Sequence, residues 1–206
     1  MLPCGHRDIV FKYFFLTNSI KMIKTRKDLR SYIEQDLKQN LVSSGGAKRW
    51  MYVHANPRLH FIYNLRYYEY YYNNSGVYNK LMKYWHYYIH KKLSYKLGFT
   101  IYANQFGPGL YIMHYGTIVV NPQCRIGANC CINACVNIGM GGSIIGDNCY
   151  ISPGVKIVKP VRIGNNVVIG ANAVVNKDIP DNTMVAGIPA REIKRLNTQT
   201  NKWERL

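Results

Sequence analysis

Val120, Ile126, Ile132 and Ile138 fall six residues apart. After one extra residue the count resumes at Ile145 and runs through Ile151, Ile157, Ile163 and Ile169 to Val175. Ten aliphatic residues thus share one register, with a single slip at Gly139-Met140-Gly141-Gly142. An α-helix repeats every 3.6 residues and a strand every two, so neither produces a strict six. A coil of three short strands does, because each six-residue stretch forms one face of a triangular prism and turns one residue inward. The fifth residue of each unit is small or branched: Cys124, Cys130, Val136 and Gly142, then Cys149, Val155, Val161, Val167, Ala173 and Ile179. A second, narrower inward position explains that restriction. Gly and Asn recur between the aliphatics, as in Gly146-Asp147-Asn148 and Gly164-Asn165-Asn166, where corners need positive φ. The pattern predicts a mainly β fold, a left-handed parallel β-helix of about four and a half coils.

Upstream the period changes. Thr25 to Asn40 reads as a helix with Leu29, Ile33 and Leu37 on one face. Residues 41–56, with Ser43-Ser44-Gly45-Gly46, read as a loop. Pro57 opens a second helix through Leu59, Ile62, Leu65, Tyr68 and Glu69, and Leu81 to Leu97 forms a third. The expected organisation is a mobile or mis-started leader over 1–21, an N-terminal α-helical cap over 22–97, the β-helix over 98–190 and a tail over 191–206. The tail is expected to be a short helix or strand with a frayed end.

The 206 residues carry a net charge of +17, and residues 1–98 hold 17 Lys and Arg against 5 Asp and Glu. Such an excess favours anionic partners: nucleic acid, acidic lipid or a phosphorylated cofactor. Basic residues interleaved with aromatics in the third helix can mark a nucleic-acid surface, but they also suit helices that pack through tyrosine bodies, which is the preferred reading. No nucleic-acid module is recognisable, so no nucleic-acid partner is expected. No apolar run approaches the length of a membrane span and no secretory cleavage site follows the N-terminus, so the expected location is cytoplasmic. The cysteines lack paired CxxC spacing and read as buried, reduced thiols. His86 and His90 share a helix face without an HExxH frame, and no metal is expected.

Chemistry on a solenoid needs a departure from the repeat. His114 lies six residues before Val120, where the register asks for an aliphatic residue. It either disturbs the core or, if the backbone bulges at Gly116, faces a crevice. Neutral imidazole can take a proton from a hydroxyl.

The stretches GPGLYIMHYGTIVV and CRIGANCCINACVNIG, with the ending IGANAVVNKDIPDNTMVAGIPAREIKR, resemble the serine O-acetyltransferase family of hexapeptide-repeat acyltransferases. The polysaccharide-associated O-acetyltransferase branch is the nearest in form. The resemblance covers roughly residues 97–195. It implies acetyl-CoA-dependent transfer to a hydroxyl, with His114 as general base, in a homotrimer that holds acetyl-CoA between neighbouring prisms. Gly154, Ala171, Lys177, Ala186 and Gly187 match regions lining that groove, and Lys177, Arg191, Lys194 and Arg195 are candidates to meet the cofactor's phosphates. Two departures matter. The family pairs its histidine with an aspartate about fifteen residues earlier, where this chain has Phe99, and places a second histidine on a GGxxHP-like loop, here shortened to Gly139–Ser143 without one. A hydroxyl of a sugar or surface-polysaccharide precursor is therefore the expected acceptor, and free serine the alternative. A basic nucleic-acid or acidic-polymer binding protein is a more remote reading. A metal-dependent lyase on the same fold needs three converging histidines, and 98–190 contains only His114.

Overall fold

The computed structural model describes residues 21–42, 46–139 and 141–206, so all but the last residue of the expected leader lies outside the described residues. Four helices come first: α1 (Arg26–Gln39), α2 (Gly46–Ala55), α3 (Pro57–Tyr72) and α4 (Val77–Leu97). Thr25 starts α1 with a capping box, its Oγ1 accepting the Asp28 N–H at 3.0 Å while Asp28 accepts the Thr25 N–H at 3.0 Å. Asn56 caps α3, and Pro57 follows at the first helical position, where its missing N–H costs nothing. Leu29, Ile33 and Leu37 are buried together with Val53 and Leu59. The stretch expected to be a loop contains α2. Only Val53 of that helix is buried, so its sequence carries no apolar period to read. Helix α4 begins at Val77, four residues before the expected Leu81, and ends at Gly98, whose φ of 77° is left-handed.

The β-helix has three parallel faces. The first stacks β1 (Phe99–Thr100), β3 (Ile118–Val120), β6 (Val136–Ile138), β9 (Lys156–Ile157) and β12 (Val174–Val175). The second stacks β4 (Arg125–Ile126), β7 (Ile144–Ile145) and β10 (Arg162–Ile163). The third stacks β2 (Tyr111–Ile112), β5 (Cys131–Ile132), β8 (Tyr150–Ile151), β11 (Val168–Ile169) and β13 (Thr183–Ala186). All ten residues of the six-residue register are at most 3% exposed. Their core is continuous with Phe61, Ile62, Leu65, Leu93 and Leu97 of α3 and α4, so cap and prism share one apolar interior.

The slip sits at one corner. Ile151 pairs with Ile169, eighteen residues on, whereas Ile132 pairs with Ile151, nineteen on, because the extra residue lies between. Ser143, rather than Gly142, takes the inward position. Its carbonyl accepts the Arg125 N–H at 3.0 Å and its Oγ accepts the Val161 N–H at 3.3 Å. Gly142 is exposed and turns the corner at φ 82°.

A second corner carries an asparagine ladder. Asn129, Asn148, Asn166 and Asn182 stand at φ between 55° and 58°, and each carboxamide donates to the next at 3.0, 3.0 and 2.8 Å. Asparagine tolerates left-handed backbone better than other residues with a Cβ, and its amide serves as donor and acceptor at once.

Both ends of the prism are covered. At the C-terminal end β14 (Arg191–Asn197) pairs antiparallel with β13, and β15 (Lys202–Arg205) pairs antiparallel with β14. The tail is thus a hairpin, held by a ladder of backbone bonds rather than frayed. At the N-terminal end the first coil has no earlier coil to bond, and side chains of the cap take that place. The fully buried Arg66 donates to the carbonyls of Phe106 at 2.9 Å and Gly107 at 2.7 Å. Asp36 accepts the N–H groups of Gly109 and Leu110, both at 2.8 Å. Glu69 accepts the Asn104 N–H at 2.8 Å, and His90 Nε2 donates to the Ile101 carbonyl at 2.8 Å. Arg66 itself bridges Asp36 at 2.7 Å and Glu69 at 2.9 Å. Burial alone would lower the arginine's pKa, but the two carboxylates raise it, so it stays charged. Burial pushes the Glu69 carboxyl up, against the opposing pull of Arg66.

Candidate active site

His114 sits in a corner that is two residues too long. Ile112 pairs with Ile132 and Val120 with Ile138, so eight residues of the first coil span what six span in the next. Ile112 and Ile118 fill the inward positions at 0% exposure, and the surplus is looped out as Met113–Thr117. His114 is exposed, and its imidazole makes no hydrogen bond to a described residue. Gly116 permits the bulge at φ 128°, and a Cβ there would come 3.1 Å from that of Ala134. Of the two placements open to His114 from the register, the structure takes the one outside the core.

The cap fixes this loop. Asn40, which ends α1, donates from its carboxamide to the Leu110 carbonyl at 3.0 Å. Arg58, in the first turn of α3, donates to the carbonyls of Ile112 and Met113 and lies with its guanidinium carbon 5.7 Å from the Tyr115 ring centroid. A single arginine thus grips both sides of His114. The bonds span 54 and 55 residues of sequence, so no local motif announces them. One signal did exist for the neighbouring cluster. Asp36, Arg66 and Glu69 fall on the apolar faces of their helices, where a charge needs a buried partner.

Below His114 the same corner recurs in every coil. The Met113 N–H donates to Ile132, Asn133 to Ile151, Ser152 to Ile169 and Gly170 to Val185. The column therefore reads His114 and Tyr115, then Cys135, Gly154, Ala171 with Asn172, and Gly187. Of the residues that the resemblance assigns to a cofactor, Gly154, Ala171, Ala186 and Gly187 all lie on this column or beside it. Gly154 has a second reason to be glycine. Its φ is 76°, and a Cβ would come 2.0 Å from the Asn172 Oδ1.

The candidate cations divide. Lys177 lies between β12 and Ile179, on the corner that holds the slip rather than the one that holds His114. Arg191 opens β14 opposite Ala186 and is exposed next to the column's lower end. Arg195 pairs with Glu192 at 2.9 Å, and Lys194 lies between Met184 and Arg205 in the hairpin. Phe99 is buried against Phe61, ring centroids 5.2 Å apart, so the residue at the family's aspartate position packs in the core.

Other candidate ligands are engaged elsewhere. His86 Nδ1 lies 2.7 Å from the Asn64 carboxamide oxygen, while His90 is buried under α3. Among the described residues no three His, Cys, Asp or Glu converge on a metal position. Cys124, Cys130, Cys131 and Cys149 are buried, and burial pushes the Cys131 and Cys149 thiols up to about 11. Cys135 differs from the expectation of burial: it is exposed, at φ 61°, because it turns the His114 corner.

Comparison with known proteins places this architecture. Residues 142–177 match the family "Bacterial transferase hexapeptide (six repeats)". The chain is 44% identical over 62 residues to the "Putative lipopolysaccharide biosynthesis O-acetyl transferase WbbJ" of Escherichia coli (strain K12), covering 30% of this chain and 32% of that protein. It is 35% identical over 103 residues to the serine acetyltransferase of Staphylococcus aureus (strain Mu50 / ATCC 700699), covering 47% of this chain and 48% of that protein. The chain thus spans half or less of the curated relatives it matches. In three dimensions it is similar to the serine acetyltransferase of Neisseria gonorrhoeae, with a TM-score of 0.65, 24% identity and coverage of 86% of this chain and 71% of that one. A serine acetyltransferase in complex with CoA gives a TM-score of 0.60 at 24% identity, over 81% of this chain and 68% of that one. The matched residues 142–177 lie within the prism, and the sequence relatives are named as acetyltransferases. The solved structures establish the shared fold.

Proposed function

We propose that this chain is an acetyl-CoA-dependent O-acetyltransferase with His114 as general base and a saccharide hydroxyl as acceptor. One observation carries the reading. His114 is the residue that a two-residue expansion lifts out of the core, and it stands above a column of small or turn-forming residues. The acceptor hydroxyl gives its proton to the imidazole as its oxygen bonds to the thioester carbonyl carbon. The C–S bond then breaks, and the proton passes from His114 to the departing thiolate. Backbone N–H groups at the corner steady the transient oxyanion. Gly154, Ala171, Ala186 and Gly187 give the cofactor's arm a flat path along the corner, and Arg191 meets its phosphates at the lower end. Lys177, on another edge, would serve only across an interface, as in the trimer that the resemblance implies.

A saccharide is favoured over serine by what is missing from the site. No carboxylate forms an ion pair with His114 among the described residues, and the loop at the slip carries no histidine in its sequence. A relative 44% identical over 62 residues is named for lipopolysaccharide biosynthesis. Serine O-acetylation in cysteine biosynthesis is the second reading, supported by the longer match to the Staphylococcus aureus protein. Release of CoA, followed with a thiol reagent against serine and a panel of sugars, separates the two. His114→Ala is expected to lower the rate by about 10²–10⁴-fold with the melting temperature unchanged. An unaltered rate in that variant would remove the mechanism.

A further inference from the structure

Helix α4 turns the wrong residues to solvent. Its inner side buries His90, Leu93 and Leu97. Its outer side presents Val77, Tyr78, Leu81, Trp85, Tyr88 and Tyr95, exposed by 80, 64, 62, 59, 64 and 83%. A helix of 21 residues is about 31 Å long, and at 100° per residue these side chains fall within one arc of roughly 100° that runs its whole length. Solvated helices put charge there. Of the lysines of α4, Lys80 and Lys91 lie about 40–60° beyond one edge of that arc, Lys96 at its other edge, Lys92 within it and Lys83 nearer the buried side, and the helix has no acidic residue. None of the five forms an ion pair among the described residues. Lys83 and Lys91 instead hold their ammonium groups 5.0 and 5.7 Å from the rings of Tyr84 and Tyr87.

We propose that the outer face of α4 docks on the surface of an anionic lipid bilayer. Tyrosine and tryptophan suit the headgroup layer, where a ring is half in hydrocarbon and its polar atom is wet. Lysines within and beside such a stripe reach up to lipid phosphates while their stems stay apolar. The charge pattern argues against the other occupants. A second copy would set five unpaired lysines against five more with no acid between them. Nucleic acid recognition favours arginine forks, and α4 has no arginine. The helix lies on the surface rather than spanning it, because no described helix is long and apolar enough to cross. Docking would bring the enzyme to saccharides carried on lipid. That last link rests on the acceptor class proposed above, whereas vesicle binding does not.

The test uses the full chain with Trp50 and Trp203 replaced by Phe, leaving Trp85 as reporter. With vesicles of equal parts phosphatidylcholine and phosphatidylglycerol, the protein co-sediments and Trp85 emission shifts to the blue; with phosphatidylcholine alone, neither occurs. Replacing Lys80, Lys92 and Lys96 by Glu weakens vesicle binding by more than about tenfold. Leu81→Glu with Tyr88→Glu weakens it too, while the far-UV circular dichroism of both variants stays that of the parent. Failure of the parent to bind anionic vesicles overturns the proposal. So does binding that survives both sets of substitutions. A parent that ignores vesicles but loses a higher assembly on light scattering when Leu81 and Tyr88 are replaced shows that a second copy covers the face. A parent that ignores vesicles but binds single-stranded RNA at low salt shows that nucleic acid does. CoA release is not part of the readout, so this proposal and the catalytic one fail separately.

Discussion

Two corners of the prism use nearly the same left-handed turn and diverge in what they hang on it. At one, φ stays between 55° and 58° through Asn129, Asn148, Asn166 and Asn182, and every side chain is spent bonding the next. At the other, the turn is made by Cys135, Gly154, Asn172 and Gly187 at φ from 57° to 96°, and no side-chain ladder joins the coils. Self-pairing asparagines leave nothing free for a ligand. The unpaired corner leaves its surface open, and there the first coil inserts two residues and a histidine. Periodicity marks the scaffold, and relief from it marks the place where chemistry can occur.

That contrast can be broken or sharpened by substitution. The largest structural effect is expected at Arg66→Leu, which leaves Asp36 and Glu69 as unpaired buried carboxylates and should remove about 3–5 kcal/mol of cap stability in urea denaturation. A loss below about 1 kcal/mol would mean that the cluster is not what binds cap to coil. Arg58→Ala comes next. It frees the loop around His114, so kcat should fall by about 10–100-fold with a smaller change in stability. Partial rescue by added guanidinium would identify the grip itself, and full activity in the variant would count against it. Asn148→Ala should cost about 1–2 kcal/mol, since a rung is lost at a positive φ, while turnover per folded molecule stays the same. A drop in turnover there would erase the distinction between the two corners.

The smallest effect is one of pH. Burial lowers the pKa values of His60, His86 and His90 from the ordinary 6.5. The unfolded chain takes up protons near that value and the folded cap does not. Stability is therefore whole above about 6.5 and drains as pH falls toward the lowered values. The urea midpoint of the cap should decline between about pH 7.5 and 5.5, and His86→Gln should flatten that decline. A midpoint independent of pH would show that these rings are not buried as described.

Much of this was legible in the chain because the prism is local arithmetic. Each inward residue is fixed by a neighbour six positions away, so counting alone located ten buried side chains. Counting failed where two answers satisfied it: Gly142 and Ser143 are both small, and only the bonds from Arg125 and Val161 choose between them. It also failed for α2, whose helix packs through Val53 with no repeating stripe. His114 was visible as a violation of the register, but the residues that hold its loop were not. Arg58 acts on carbonyl groups, which every residue possesses, across more than fifty positions of sequence. Backbone recognition at that range has no spelling.

The coil that meets the cap has a consequence for how copies of this chain coexist. An open β-helix end is a template on which another chain's strands can grow, coil after coil, into a fibre. Here the N–H groups of Gly109 and Leu110 and the carbonyls of Phe106 and Gly107 are already spoken for by Asp36 and Arg66. An incoming strand would have to evict a buried ion pair before making its first bond. The helices thus act as a stopper as well as a cap, and molecules of this protein can gather flank to flank without polymerising from that end.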